Sequence, residues 1–486
     1  MYKPKLFRKI IYSGIFILLT FSTPAQNQST SIQQKIAAWQ TATGQANASV
    51  CIAVSDTKTG ESLLKSEPQL SLVPASIMKV VTTATALEVF GPDFRFQTVL
   101  SYSGIIRNDT LSGDLQVVGG GDPTLGSEYF PENNRFLEEW ISAIQQKNIR
   151  VVTGNLILDA SVYESQMIPN TWIWEDIGNY FGAGASGISV YDNLYEIHLS
   201  SGNVPDQLTK VIMVTPVIPN LDLQNEVRSS DLNSDQAWVF CSPQENRRII
   251  RGTIPKNRND FIVKASVPDP QALLASEFRK KLLANGIQFS GQLKFEKTNS
   301  NENHSGQLSV IQSPPLRDII RVTNHESVNL FAEHFLKHLA YRKYGLGTTK
   351  DGCKLILQFW KDKGLDLNGF FMNDGSGLSR FNALTASQMV AILNYMKTKS
   401  EYAADFYQSL ATAGNGTLTV FGTDNFPNQC LRAKSGSMTR VRCYAGYLTT
   451  LSGRQLSFAI MLNNFSCSQT EATQKIEEVL VELRKE

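Results

Sequence analysis

The stretch Pro74-Ala75-Ser76-Ile77-Met78-Lys79-Val80-Val81 decides how the rest of the chain is read. Its apolar pattern runs helically to Phe90, and Gly91-Pro92 stops it, as a glycine past the last turn and a following proline should. Ser76 and Lys79 stand three apart at the opening of this helix, so both side chains point to one side. The serine also lies near the positive end of the helix dipole. A lysine amine can take a hydroxyl proton once burial or neighbouring cations lower its pKa from about 10.4. The same spacing recurs at Ser55…Lys58 and Ser62…Lys65, but these fall in strands or a hairpin turn. On a strand, residues three apart face opposite ways. That selects Ser76 as nucleophile and Lys79 as its base.

Outward from this helix, serine–lysine acyl transfer needs two more pieces. Ser327-Val328-Asn329 stands near the start of a helical run, Leu316 to Tyr344. Its hydroxyl can relay a proton, and its amide can hold both Lys79 and a substrate carbonyl. Lys434-Ser435-Gly436 lies on an expected strand, where cation and hydroxyl can bind a carboxylate and glycine lets a backbone approach the ligand closely. Lys58-Thr59-Gly60 matches better by letters, yet it falls in the first hairpin turn, ahead of the nucleophile. Each tripeptide alone carries little weight. The three in order, each on a fitting element, carry much.

The 486 residues are 42% hydrophobic and 19% charged, which is globular composition with room for two or three domains and excludes collagen-like, disordered and polytopic membrane classes. The formal charge of +2 is uneven, because Lys3, Lys5, Arg8 and Lys9 lie in the first 25 residues with no acid. The near-neutral body argues against nucleic acid as a partner. Residues 1–25 read as an export signal: a basic start, the apolar run Ile10 to Leu19, then small residues ending at Ala25. That run is too short to span a bilayer core comfortably, and the first cysteine is Cys51, which disfavours a lipid anchor. The expectation is an exported, periplasmic protein with no integral span after signal removal.

Six cysteines (Cys51, Cys241, Cys353, Cys430, Cys443, Cys467) form no CxxC, so neither a zinc ribbon nor a redox motif is indicated. Cys430 and Cys443 flank an expected hairpin and either face one another across it or, like the others, remain thiols. His334 and His338 have zinc-ligand spacing on a helix, but Phe335 stands where a metalloprotease needs glutamate. They read as ordinary helix-surface histidines. No metal and no cofactor is expected.

Ala48–Val54 and Glu61–Ser66 read as a hairpin, and Cys430–Ser435, Arg442–Thr449 and Gln455–Leu462 as strands before a helix near Ser468. Together they predict one antiparallel sheet closed by both chain ends, around a long insertion of short alternating segments.

These motifs resemble those of the class C, low-molecular-mass penicillin-binding proteins, the exported D-alanyl-D-alanine carboxypeptidase/endopeptidases. The resemblance extends to Gly119-Gly120-Gly121-Asp122-Pro123-Thr124-Leu125, Gly154-Asn155-Leu156-Ile157-Leu158-Asp159 and Asp374-Gly375-Ser376-Gly377-Leu378-Ser379-Arg380, and covers residues 30–486. It implies an α+β fold, a penicillin-recognising serine transpeptidase/β-lactamase-like domain with an antiparallel sheet flanked by helices. That domain would comprise 30–96 and 305–486. The insertion 97–304 would form two smaller β-rich domains, approximately 97–160 with 245–304, and 161–244.

The resemblance further implies that Ser76 is acylated, Lys79 is the general base, Ser327 and Asn329 complete the proton network, and Lys434 supports it electrostatically. Ser435 would bind the substrate carboxylate, beside Gly436. The backbone N–H groups of Ser76 and Ser437 would form the oxyanion hole. Peptidoglycan stem peptides would be the substrates and β-lactam antibiotics covalent inhibitors. Asp176 would meet the free amine of a diaminopimelate side chain, or else be an exposed carboxylate; Arg380 would help bind the peptide, or pair within its loop. Serine at 435 replaces the family's commoner threonine, and Arg440 and Arg442 are bulkier than usual there. A β-lactamase-like hydrolase and a catalytically idle peptidoglycan-binding scaffold are the competing functions.

Overall fold

The computed structural model describes residues 33–34, 36–38, 47–298 and 305–486; the expected export signal lies outside them. Among the described residues the main sheet has six strands, in the order Ala411–Thr412, Leu431–Met438, Val441–Thr449, Gln455–Asn463, Ser49–Asp56, Ser62–Ser66. Every neighbouring pair is antiparallel. Strands from the first and last parts of the sequence pair inside it, where Val50 stands opposite Leu462 and Val54 opposite Phe458.

Alternation along Ser49–Asp56 explains why this strand is buried on both sides. Cys51 and Ala53 face a helical layer with Ala445, Ala459 and Met461, while Val50, Ile52 and Val54 join Phe458, Ile460 and Leu462 on the other face. The small alanines let the helices Met78–Phe90 and Ala386–Thr398 lie close to the first face. The second is covered by the helix Gln469–Arg484, through Ile476, Val479, Leu480 and Leu483. Ser468 caps that helix in a reciprocal box with Glu471. The expected α+β architecture is the one observed.

The expected segmentation of the insertion differs from the structure at two places. Ser305–Gln312 pairs with Gln97–Arg107, so the inserted sheet takes in residues assigned above to the domain that follows. Arg247–Pro255 pairs in parallel with Asp222–Ser230, and Phe261–Ser266 pairs with Leu194–Ser200. Residues 247–266 therefore share sheets with the second module, not the first. Strand alternation marks which residues are strands, but the choice of partner is a long-range matter. Among the described residues the insertion also contains two α-helices, Phe136–Gln146 and Pro270–Ala284, which pack together on its own apolar core.

The helical run from Leu316 is two helices, Leu316–His325 and Asn329–Tyr344. In the second, every residue from Asn329 to Ala340 is buried. His334 and His338 are therefore not surface residues. Nδ1 of His334 donates to the Gly121 carbonyl at 2.8 Å, which leaves Nε2 to accept from the Ser189 hydroxyl at 2.9 Å. Tyr163 Oη lies 3.4 Å from His338 Nδ1 and donates to the His334 carbonyl at 3.2 Å. The pair is thus a hydrogen-bonded seam between the insertion and this helix. Among the described residues no group of three or more His, Cys, Asp or Glu is placed to hold a metal ion, and no helix is long and apolar enough to cross a membrane.

Candidate active site

Ser76 sits in a tight turn, Ala75–Ile77, that feeds the helix Met78–Phe90. Ala75 has φ +47°, a left-handed setting that costs a non-glycine residue on the order of 1–3 kcal/mol and persists only where its surroundings hold it. Two glycines supply that hold. A β-carbon on Gly377 would stand 2.0 Å from the Ala75 carbonyl oxygen, and one on Gly436 would stand 2.6 Å from that of Pro74 and 3.0 Å from Ser76 N. Gly436 thus admits the backbone of the nucleophile turn itself, where a close approach to ligand was expected. The approach also sets Ser76 N beside the strand Leu431–Met438, which carries Lys434, Ser435 and Ser437.

Lys79 points inward from the first turn of the helix and is buried. Its Nζ lies 3.0 Å from Ser76 Oγ, 2.5 Å from Asn329 Oδ1 and 2.7 Å from the Ser376 carbonyl. Burial pushes its pKa down to about 7, against the opposing pull of the Asp374 and Glu333 carboxylates. Near neutral pH a substantial fraction of the amine is therefore unprotonated, as a base for a serine hydroxyl requires. Lys434, on its strand, is buried too and donates to the Ser435 carbonyl at 2.8 Å. Burial, then the nearby charges of Lys79 and Arg442, hold its pKa well below the ordinary lysine value.

Ser327 falls at the break between the two helices, with φ +61°. That kink ends one helix at His325 and starts the next at Asn329. Asn329 then directs its Oδ1 to Lys79 and its Nδ2 to the Phe181 carbonyl of the insertion at 2.8 Å. The insertion thereby helps fix which way this amide faces.

Ser76, Ser327, Asn329, Ser435 and Ser437 open on one cleft of about 560 Å³, together with Asp176, Arg380 and Arg442. Asp176 reaches the cleft from the insertion and is 9% exposed. Burial pushes its carboxyl up to about 6, with Arg380 pulling the other way. Arg442 lines the cleft, whereas Arg440 borders a separate depression beside Asn464 and Phe465. The decoys lie elsewhere. Ser55 bonds to Ser457 and Asn394, and Lys58 stands in the Asp56–Gly60 turn, where Asp56 accepts from the Lys58 and Thr59 N–H groups. Cys443 stands opposite Gly436 in the sheet, not opposite Cys430.

Sequence reading missed several residues of the site. Glu333 is buried, and its carboxylate accepts from the Gly375 and Ser376 N–H groups. Asp374, also buried, accepts from Gly377 N, Ser379 N, Asn382 Nδ2 and the Trp172 indole. Glu333 stands one helical turn beyond Asn329, and that i,i+4 spacing was its one local signal. Phe181, Trp238, Glu326, Thr417 and Val420 also border the cleft, and nothing local in the sequence marks them.

Residues 32–486 match the family described as D-Ala-D-Ala carboxypeptidase 3 (S13). Among curated proteins the chain is 26% identical over 419 residues to D-alanyl-D-alanine carboxypeptidase DacB of Haemophilus influenzae, covering 83% of each. It is 27% identical over 429 residues to a D-alanyl-D-alanine carboxypeptidase of an Actinomadura species, covering 85% of this chain and 78% of that one. The crystal structure of penicillin-binding protein 4 from Haemophilus influenzae superposes with a TM-score of 0.78 at 23% identity, covering 94% of this chain and 97% of the other. The fold is therefore shared over the span the two chains have in common.

Proposed function

The chain belongs to the D-Ala-D-Ala carboxypeptidase 3 (S13) family, a family of serine peptidases, and from that premise we propose that it removes the terminal D-alanine of peptidoglycan stem peptides through an acyl-enzyme on Ser76. Neutral Lys79 takes the Ser76 hydroxyl proton as Oγ attacks the penultimate D-Ala carbonyl carbon. The Ser76 and Ser437 N–H groups receive the oxyanion. Collapse breaks the peptide bond, and the departing amine takes the proton back from Lys79 by way of Ser327. Water then hydrolyses the ester. Asn329 orients Lys79, Lys434 supplies positive potential, and Ser435 holds the substrate carboxylate beside Gly436.

The same steps cut a cross-link when the leaving amine belongs to a neighbouring peptide, which is the endopeptidase reaction. A β-lactam enters at the first step and stalls as the acyl-enzyme. Asp176 receives the free ammonium of the stem peptide, with Arg380 holding the peptide beside it. Residues 1–25 direct export, and the substrate places the enzyme in the periplasm.

The observation that carries this proposal is the 3.0 Å approach of a buried Lys79 Nζ to Ser76 Oγ. Intact mass after mixing with benzylpenicillin, for wild type and Ser76→Ala, tests it. A lasting one-to-one adduct in wild type alone is expected. Rapid loss of penicillin without an adduct would establish a β-lactamase instead. Intact penicillin with no adduct would leave the peptidoglycan-binding scaffold.

A further inference from the structure

Glu333 is a buried carboxylate that the mechanism above does not use, and its partners lead directly to the base. Both of its oxygens accept from Gly375 N, at 3.0 and 3.1 Å, and Oε1 also accepts from Ser376 N at 2.7 Å. The carbonyl of that same Ser376 accepts from Lys79 Nζ at 2.7 Å. On the other side of the loop, the Thr82 hydroxyl donates to the Gly375 carbonyl at 2.7 Å. Thr82 stands three residues after Lys79 on the nucleophile helix, so the loop is clamped between that helix and the one carrying Asn329.

We propose that Glu333 is a positioning residue: by gripping the Gly375–Ser376 backbone it aims the Ser376 carbonyl at Lys79 and keeps the amine between Ser76 and Asn329, while its charge sets how readily that amine gives up its proton. This inference rests on the reading of Lys79 as base. The charged groups facing the amine are Glu333 and Asp374, which favour its protonated form, and Lys434. Glu333 itself faces Asp374, Lys79 and the buried Lys337. Burial and the Asp374 charge raise its pKa to about 7, against the opposing pull of the Gly375 and Ser376 N–H groups, so its negative charge on Lys79 is present above that value and fades below it.

The two effects separate by substitution. In Glu333→Gln the negative charge is gone and one amide end opposes an N–H, so Lys79 loses both its aim and a stabiliser of its protonated form. In Thr82→Val the loop loses its second clamp with no change of charge. The measurement is the second-order rate of benzylpenicillin acylation by intact mass from pH 5 to 9, with melting temperature as the fold control.

Wild type should rise with pH through a limb set by Lys79. Glu333→Gln should shift that limb to lower pH and lower the plateau at least about ten-fold; Thr82→Val should lower the plateau with the limb in place. A folded Glu333→Gln with the wild-type limb and plateau would overturn the proposal. Should Glu333→Gln not fold, Glu333→Asp keeps the charge on a shorter arm: a lowered plateau with an unmoved limb supports the proposal, and a wild-type profile overturns it. Wild type that never acylates would instead sink the proposed function.

Discussion

Gly436 lies against Pro74 so closely that a β-carbon on it would stand 2.6 Å from the proline's carbonyl oxygen. The strand bearing Lys434 and Ser435 and the turn bearing Ser76 come from opposite ends of the sequence, and this contact sets their spacing. Gly436→Ala should force the two backbones apart. A displacement on the order of 1 Å at a reacting centre lowers rate by about 100-fold. The expected outcome is that loss in benzylpenicillin acylation with little change in melting temperature; acylation at the wild-type rate would show that the spacing is not critical.

As the proposed base, Lys79 should set the pH dependence of acylation. Burial pushes its amine down to about 7, and its working form in the proposed mechanism is neutral, so acylation should be weak below that value and level off above it. Lys79→Met removes the base while filling its space, and a positioned general base contributes about 10²–10⁴-fold. The variant should acylate slower by that factor on the high-pH plateau and lose the limb near 7, so that its deficit against wild type narrows as pH falls. Retention of the limb would assign it to another group.

Asp176 offers a test of substrate recognition independent of the chemistry. A charge-assisted hydrogen bond between its carboxylate and a ligand ammonium contributes about 1.5–3 kcal/mol. Asp176→Asn should therefore lower kcat/KM roughly 10–100-fold for a stem peptide with a free side-chain amine, and leave an N-acetylated version of that peptide unaffected. Because burial raises the Asp176 carboxyl to about 6, the wild-type preference should be present above that pH and fade as pH falls through it. Equal losses for both peptides would place the residue's role elsewhere.

The His334–His338 seam makes stability sensitive to acid. Burial lowers His334 to about 3 and His338 to about 4, so both stay neutral in the fold. In the unfolded chain they protonate below about 6.5. Between those limits the unfolded state binds more protons, and stability falls as pH falls. Melting temperature should drop from pH 7 to 4.5, and the drop should be smaller in His338→Gln. An identical drop in that variant would assign the acid sensitivity to other groups.

Legibility in the sequence followed how local each feature is. The Ser76 helix, the Asn329 helix and the Lys434 strand each carry their signal within a few residues, as a stop glycine, a helical spacing or an alternating run. Ordering three short motifs on the right elements was enough to bring together Ser76, Lys79, Ser327, Asn329 and Lys434. His334 and His338 misled because i,i+4 spacing is the same on a surface helix and on one buried all round. The segmentation of the insertion misled because Arg247–Pro255 reads as a strand whichever sheet receives it.

By itself, then, the sequence determined most of the elements, their order and which side chains are proposed to react, since periodicity and turn chemistry act over a few residues. The tertiary structure alone decided that Gly436 spaces two backbones, that the Phe181 carbonyl orients Asn329, and that Glu333 grips the loop behind Lys79. It also decided that burial pushes the Lys79 amine down to about 7. Desolvation and charge at one amine are sums over every group packed around it, and those groups come from helices and loops hundreds of residues apart.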